Sequence, residues 1–510
     1  MKFRMAGLLV AALFSSSALP PVHAQPATFS EIYSFTSPLG LNVYTNTDGI
    51  NPAGVILSGN TLYGTAPNGG SFGYGTVFRV NTDGSGFTNL HNFTAPNPPS
   101  IYSYYYFGTN GDGANPNVGL VLFSNTLCGT THYGGSAGMG TVFSVNTDGL
   151  GFTNLYSFEA LSFPTNNNGP SNFNGSGALP FAGLALAGNT LYGTANTGGS
   201  NGNGTVFAIN TDGSGFAILY SFTTNPPPFT NSDGADPDVG LIISGSTLYG
   251  ATGWGGAGGS GTVFRINTDG SAFTNLHSFP AGANQYSFPI GANQYLPPSG
   301  MLVLSGNTLY GTAAICGTGS IGAVFALNTD GSGFTNLYNF SGGDGAYPYA
   351  GLIVSGNTLY GTTLKGGSAG GGTAFAVNTD GSNFTSLHDF TAFSWPYPYP
   401  DINSDGTYPS AGLILSGNVL YGTTLTGGVR GNGAVFSLTL PVPSLGISAT
   451  GDQVVISWPA SVPNYVLQTA SDLSSGSWSN ITSGIATVGT NYVFTNDATG
   501  QTAFFRLQQQ

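Results

Sequence analysis

One phrase constrains this chain more than any other. The octapeptide SGNTLYGT occurs word for word at residues 58–65, 305–312 and 355–362, and edited copies occur four more times. The leucine of its LYGT half falls at Leu62, Leu127, Leu191, Leu248, Leu309, Leu359 and Leu420, 50 to 65 residues apart. A repeat of that length is one supersecondary unit laid seven times. Each unit carries four strand-like pieces, as in AGLIVS (350–355), TLYGTT (358–363), GTAFAV (372–377) and FTSLHDF (384–390). Gly-Asn or a near relative joins the first two pieces, which is a two-residue hairpin signal. NTDGSG joins the third to the fourth, with residues that tolerate left-handed backbone angles. No segment after residue 25 repeats apolar residues at helical spacing, so the chain is predicted to be all-β.

Four antiparallel strands in each of seven units make a seven-bladed β-propeller, which leaves only short, protected edges. The ends of the repeat region fit a closed ring. The seventh unit stops after its third strand, GAVFSL (433–438), and the missing fourth strand is found at the other end as FSEIYSF (29–35), matching FTNLYSF (152–158). An open solenoid has no need of such complementary ends.

The pattern LYGT…GG…GTVF.VNTDGSGFTNLYSF resembles the bacterial tandem repeat called GloVer, found in exported proteins with varied C-terminal attachments. It is also loosely similar to kelch repeats in strand order and in the Gly-Gly after the second strand. The GloVer resemblance covers residues 29–440; the fifth unit departs from it, with ICGTGS in place of the Gly-Gly segment. It implies a repeat scaffold and supplies no catalytic residues.

The flanks differ from the repeats. Residues 1–24 read as a signal peptide, with Lys2 and Arg4 before the short apolar run AGLLVAALF and VHA before Gln25. Export of residues 25–440, the propeller, and of all that follows is therefore expected, with a secreted or cell-surface location. After the linker PVPS (441–444), residues 445–510 lose the repeat and show short alternating strands. They are predicted to form a small fibronectin- or Ig-like β-sandwich with Trp458 and Trp478 as core anchors. No terminal apolar span or sorting motif suggests an anchor, and no membrane span is expected in the mature chain.

Charge narrows the partners. The chain has 7 Lys+Arg against 20 Asp+Glu, a formal net charge of −13. Such a surface repels phosphate polymers, so nucleic acid and anionic membrane are poor partners, and no nucleic acid is expected. Cys128 and Cys316 show no metal-ligand spacing and read as unpaired small side chains.

Several motifs look chemical. GGSFG (69–73), GGSAG (134–138), GGSNG (198–202) and GGSAG (366–370) match G-x-S-x-G, but they recur between two strands, where a hydrolase elbow needs a strand followed by a helix. GTGSIG (317–322) likewise lacks the helix of a dinucleotide site. His91, His277 and His388 share a fourth-strand position with Tyr156, Tyr220 and Tyr338, which suggests a packed site rather than a proton donor. His132 lies in a loop and could serve acid–base chemistry. Six aspartates, from Asp83 to Asp380, belong to NTDG turns. Five others, Asp48, Asp112, Asp233, Asp344 and Asp405, open the phrase D-G-x-x-P before the first strand, where Ser176 and Asn293 stand in the third and fifth units. In a propeller these carboxylates are expected around the mouth of the central channel. DINSDG (401–406) has the start of a calcium loop, making Asp401, Asn403 and Asp405 candidate Ca2+ ligands, although no Glu closes the loop. No other cofactor is expected.

Antiparallel alternation puts the uniform SGNT and NTDGSG turns on one rim and the length-variable connections on the other. Variable loops on a rigid scaffold carry binding. Their aromatic content supplies the candidate ligand-binding residues Tyr104, Tyr105, Tyr106, Trp254, Tyr295, Trp395 and Tyr397, joined by the five D-G-x-x-P aspartates. Aromatic rings stack on sugars or anchor protein partners. The expected function is noncatalytic binding of an extracellular glycan or surface protein. The alternatives are a polysaccharide-acting enzyme, using an aspartate pair with His132, and a structural or adhesive surface protein.

Overall fold

The computed structural model describes residues 26–38, 45–97, 108–117, 119–162, 173–224, 230–280, 302–314, 321–392 and 402–450, and within the C-terminal region 453–459, 465–471, 477–488, 491–497 and 503–509. The signal-peptide expectation for residues 1–24 lies outside them. The described chain is all-β; no helix occurs among these residues, and none is long and apolar enough to cross a membrane. It divides into two compact units, one holding Phe29–Val354 and Leu359–Leu438, the other containing Thr439–Gln510.

The larger unit is a series of four-stranded antiparallel sheets with a propeller-like repeat. Sheet 1 comprises Val55–Ser58, Thr61–Ala66, Thr76–Asn81 and Thr88–Asn92, hydrogen-bonded in that order. Sheets 2 to 6 repeat the order over residues 121–157, 185–221, 242–278, 303–339 and 353–391. Sheet 7 has only three strands of its own, Ile414–Ser416, Val419–Thr424 and Ala434–Thr439; the N-terminal strand Thr28–Ser34 supplies the fourth, against Ala434–Thr439.

The first hairpin follows from its turn residues. Leu57 pairs with Leu62 and Ser58 with Thr61, leaving Gly59 and Asn60 as a two-residue turn. Gly59 has φ of 57°, a left-handed angle that glycine adopts without steric cost at the first central position. The NTDGSG turn closes by its own side chains: Asp83 Oδ1 accepts from the Ser85 N–H (2.9 Å) and hydroxyl (2.6 Å).

The sheets are joined by core clusters that each draw on two neighbours. One contains Val77, Phe93 and Leu90 of sheet 1 and its flank with Leu127, Phe143 and Val145 of sheet 2. Sheet 7 meets sheet 1 in the same way, through Val435 and Phe35 against Leu62, Phe78 and Val80. Each fully buried Phe or Leu stabilises the fold by about 1.5–3 kcal/mol.

The smaller unit has a four-stranded sheet (Gly446–Thr450, Gln453–Pro459, Asn491–Asp497, Ile485–Val488) and a three-stranded one (Ser479–Asn480, Tyr465–Ala470, Phe504–Gln509). They share a core of Ile456, Trp458 and Leu467, surrounded by Tyr492, Phe494 and Leu507. Trp458 is a core anchor, as its sequence pattern suggests. Trp478 is only half-buried and lies under the Arg506 guanidinium, 4.3 Å from its ring centre.

Candidate functional site

The repeated polar residues act between successive sheets. Tyr33 stacks on Phe87, His91 on Phe152, Tyr156 on Phe216, Tyr220 on Phe273, His277 on Phe334, Tyr338 on Phe384 and His388 on Phe29. Ring centres lie 3.7 to 4.5 Å apart, and each pair joins one sheet to the next. The last pair brings in the N-terminal strand, so the contacts return to sheet 7. Such stacks are worth about 0.5–1.5 kcal/mol each beyond burial.

The five candidate aspartates sit beside these rings. Asp112 accepts from His91 Nε2 (3.0 Å), the Thr94 N–H (3.0 Å) and the Thr94 hydroxyl. Asp48 does the same with Tyr33 (2.7 Å) and Thr36, and Asp233 with Tyr220 (2.9 Å) and Thr223 (2.9 Å to N–H). Asp344 holds Tyr338 and the Ser341 N–H, and Asp405 holds His388 Nε2 and the Thr391 N–H, both at 3.1 Å. Ser176, the serine of the third unit, accepts the Glu159 N–H instead. In every case the N–H donor stands three residues after the stacked strand-four ring, at or just past the end of that strand, and the acceptor lies further along the connection to the next sheet. The carboxylates are neck clamps: they close each variable loop at its base, whatever its length, so insertion at the tip costs little.

These clamps are enclosed. Asp48, Asp112, Asp233 and Asp405 are buried, with 2% of Asp48 exposed and 8% of Asp112. Burial pushes the Asp112 carboxyl up, but hydrogen bonds from His91 and Thr94 outweigh it and hold the group below the usual range. Burial and the Asp48 carboxylate raise the Tyr33 phenol.

A residue class that the sequence pattern did not single out completes the clamp. Asn46, two residues before Asp48, accepts the Gly49 N–H (2.9 Å) and the Gly70 N–H (2.7 Å) and donates to the Thr36 carbonyl. Asn110, Asn174, Asn231 and Asn403 accept the same pair of N–H groups in their sheets. The recurring N-x-[DS]-G spacing was the available signal. It bears on the calcium candidates, because Asn403 Oδ1 already accepts from Gly406 and Gly428, at 2.7 Å each. Asp401 lies outside the described residues.

The other chemical motifs resolve similarly. Ser71 and Ser368 of the G-x-S-x-G copies lie in the turn between strands two and three, where the Ser71 N–H donates to Asn92 and the Ser368 hydroxyl to Asp389. His132 packs against Tyr133 and Phe181, with ring centres at 4.1 and 4.8 Å. Burial pulls its pKa down to about 3 despite a hydrogen bond to the Pro180 backbone, so the ring stays neutral. Cys128 is buried and free, and burial pushes its thiol up to about 11; Cys316 lies outside the described residues.

What varies lies on one rim. Directly after strand two, Asn68, Tyr133, Thr197, Trp254, Lys365 and Thr426 make the same paired backbone bonds, to Ile50, Ala114, Ala178, Ala235, Ala346 and Thr407. Facing them, the residue before the D-G-x-x-P proline is Asn51, Asn115, Leu179, Asp236, Tyr347 or Tyr408. All six of these have φ between 54° and 62° and are half-buried. Left-handed backbone costs a non-glycine residue about 1–2 kcal/mol. Glycine fills the left-handed turn positions nearly everywhere else in this chain, yet none of the six described copies uses it here. Burial raises the Asp236 carboxyl to about 7. Of the loop aromatics singled out from sequence, Trp254 is on this rim; Tyr104, Tyr105, Tyr106, Tyr295, Trp395 and Tyr397 lie outside the described residues.

The architecture can now be matched to known proteins. The Gloeobacter/Verrucomicrobia repeat matches residues 162–294 and 283–450, more than half of the chain. The chain belongs to this repeat family. Within the GloVer repeat, the phrases shared between units are those that stack, clamp and turn, and sheets 1 and 2, ahead of the matched residues, use them identically. No curated protein matches the chain. Among solved structures it is similar to an oligogalacturonate lyase in complex with manganese, at 11% identity and TM-score 0.41 over 82% of this chain and 98% of that one. It is also similar to TolB from Acinetobacter baumannii (14%, 0.33, 60% and 58%) and to a nidogen/laminin complex (14%, 0.31, 54% and 74%). At these TM-scores the likenesses bear on neither activity nor ligand.

Proposed function

We propose that the chain is an exported, noncatalytic seven-bladed β-propeller that binds an extracellular glycan through its variable rim, and that its C-terminal unit is an attached β-sandwich. The observation that carries the reading is the contrast on that rim: identical backbone bonds from sheet to sheet, with a different pair of side chains in each. A scaffold that holds its backbone fixed while changing what it presents is built to recognise. The presented set combines aromatic faces with amides, the mixture that stacks on sugar rings and satisfies their hydroxyls.

The clamps argue against the catalytic alternative. A paired-carboxylate enzyme needs two acids facing substrate. Here the aspartates hold loop necks, and His132 is enclosed and neutral. Calcium has no part in this reading, since the oxygen of Asn403 is already used.

A glycan array probed with the full chain tests the proposal. Binding is expected to fall at least tenfold when Trp254 and Tyr133 are both changed to alanine. Capture of a surface protein with no glycan bound would replace the ligand class, and turnover of a bound glycan would revive the enzyme.

A further inference from the structure

Resting on the glycan reading, we propose that the rim between sheets 6 and 7 holds a subsite for an anionic sugar, formed by Tyr347, Lys365 and Tyr408. Tyr347 and Tyr408 pack, half-buried, on the buried group Ala314, Tyr349 and Leu364. The Lys365 ammonium stands over the Tyr408 ring, 5.8 Å from its centre. Two aromatic faces and a cation therefore meet in one sector, an arrangement that accepts a sugar ring and its acid group together.

Lys365 is unlike the other basic side chains of the described residues. Arg79, Arg265 and Arg430 each donate to a backbone carbonyl, and Arg506 donates to Gln468. The ammonium of Lys365 has no carboxylate within ion-pair distance among the described residues, where the ion pairs are His91–Asp112 and His388–Asp405. The acids bordering this sector are engaged elsewhere: Asp344 and Asp405 are turned onto Tyr338 and His388 as neck clamps, and Asp389 accepts from Ser368 and Ser386. Six further aspartates, Asp83, Asp148, Asp212, Asp269, Asp330 and Asp380, sit in the turns of the opposite rim. So the Lys365 ammonium, on the variable rim of a strongly negative chain, is left to meet an anion. Backbone geometry gives independent support. Tyr347 and Tyr408 have φ of 57° and 62°, where glycine would be unstrained, so the side chains are kept against local preference.

The anion can be a carboxylate, as in a uronate, or a sulfate. Titration of the full chain with a neutral β-glucan oligomer, a uronate oligomer and a sulfated galactan oligomer separates these sources. At least one acidic oligomer is expected to bind at least tenfold more tightly than the neutral one, and Lys365→Met is expected to erase that difference. Tyr347→Gly and Tyr408→Gly remove the rings at positions where glycine suits the backbone. They are expected to weaken binding of every oligomer about tenfold, while relief of the left-handed backbone offsets most of the packing lost on Tyr349 and Leu364, so that the melting temperature changes little. Equal affinity for neutral and acidic oligomers, or an unchanged preference in Lys365→Met, overturns the subsite and leaves the glycan reading standing. Loss of melting temperature in both glycine variants without loss of binding assigns the tyrosines to structure and overturns it too. If none of the oligomers and no arrayed glycan binds, both proposals fall.

Discussion

Asp112 and Asp236 respond to acid in opposite ways because one is hydrogen-bonded and the other is only buried. The folded-state pKa of Asp112 is depressed by His91 and Thr94. Its contribution is present above the unfolded value, about 4, and is lost as pH falls through the folded value. Asp112→Ala leaves buried donors unpaired and opens the neck of the 94–112 loop. It is expected to cost roughly 2 kcal/mol in urea unfolding, and an unchanged midpoint would show that the clamp bears no load. Asp236 is raised to about 7 by burial, so the folded protein keeps a proton that the unfolded chain releases above about pH 4. Stability then declines as pH rises from about 4 to 7. Asp236→Asn, the residue that Asn51 and Asn115 provide in sheets 1 and 2, is expected to melt higher than the parent at pH 8 and level with it below pH 4. A melting difference independent of pH would mean that folding leaves this carboxyl's pKa unshifted.

The N-terminal strand Thr28–Ser34 completes sheet 7, and its Phe29 stacks on His388 and also contacts Phe390 and Phe436. Phe29→Ala is expected to cost roughly 2 kcal/mol, less than a fully buried Phe because the ring is half-buried. Removal of residues 25–35 bares the edge of Ala434–Thr439 and is expected to give oligomers in size-exclusion chromatography; a monomer of parental stability would contradict this role. The hairpins and the complementary terminal strand were legible in the sequence because they rest on neighbours and on periodicity. The clamps and stacks were not. His91 and Tyr220 read only as packed positions, because their partners, Phe152 and Phe273, lie in the following unit and nothing local links them. The five aspartates stand out as a set in the sequence, but their partners, strand-four rings 6 to 21 residues away and the N–H groups three residues past those rings, leave no local mark. Asn46 and its equivalents carry no distinguishing mark within an Asn-rich chain. Trp478, expected in the core, is half-buried under Arg506 because it lies just ahead of Ser479–Asn480, the short outer strand of a three-stranded sheet.

At the scale of the molecule, the repeat separates two tasks. Repeated residues join sheet to sheet, and the residues that differ occupy fixed backbone positions on one rim, where the proposed binding lies. The opposite rim, with its Gly-Asn and NTDGSG turns, serves as the internal control. The most direct measurement is therefore a calorimetric titration of one array-selected glycan into three full-length proteins: the parent, a variable-rim variant carrying Tyr133→Ala, Trp254→Ala and Tyr408→Gly, and an opposite-rim variant carrying Asn60→Asp, Asn189→Asp and Asn307→Asp. The account predicts that the opposite-rim variant binds like the parent while the variable-rim variant, still folded, loses at least tenfold in affinity. Loss of binding in the opposite-rim variant, with the variable-rim variant unaffected, would contradict it.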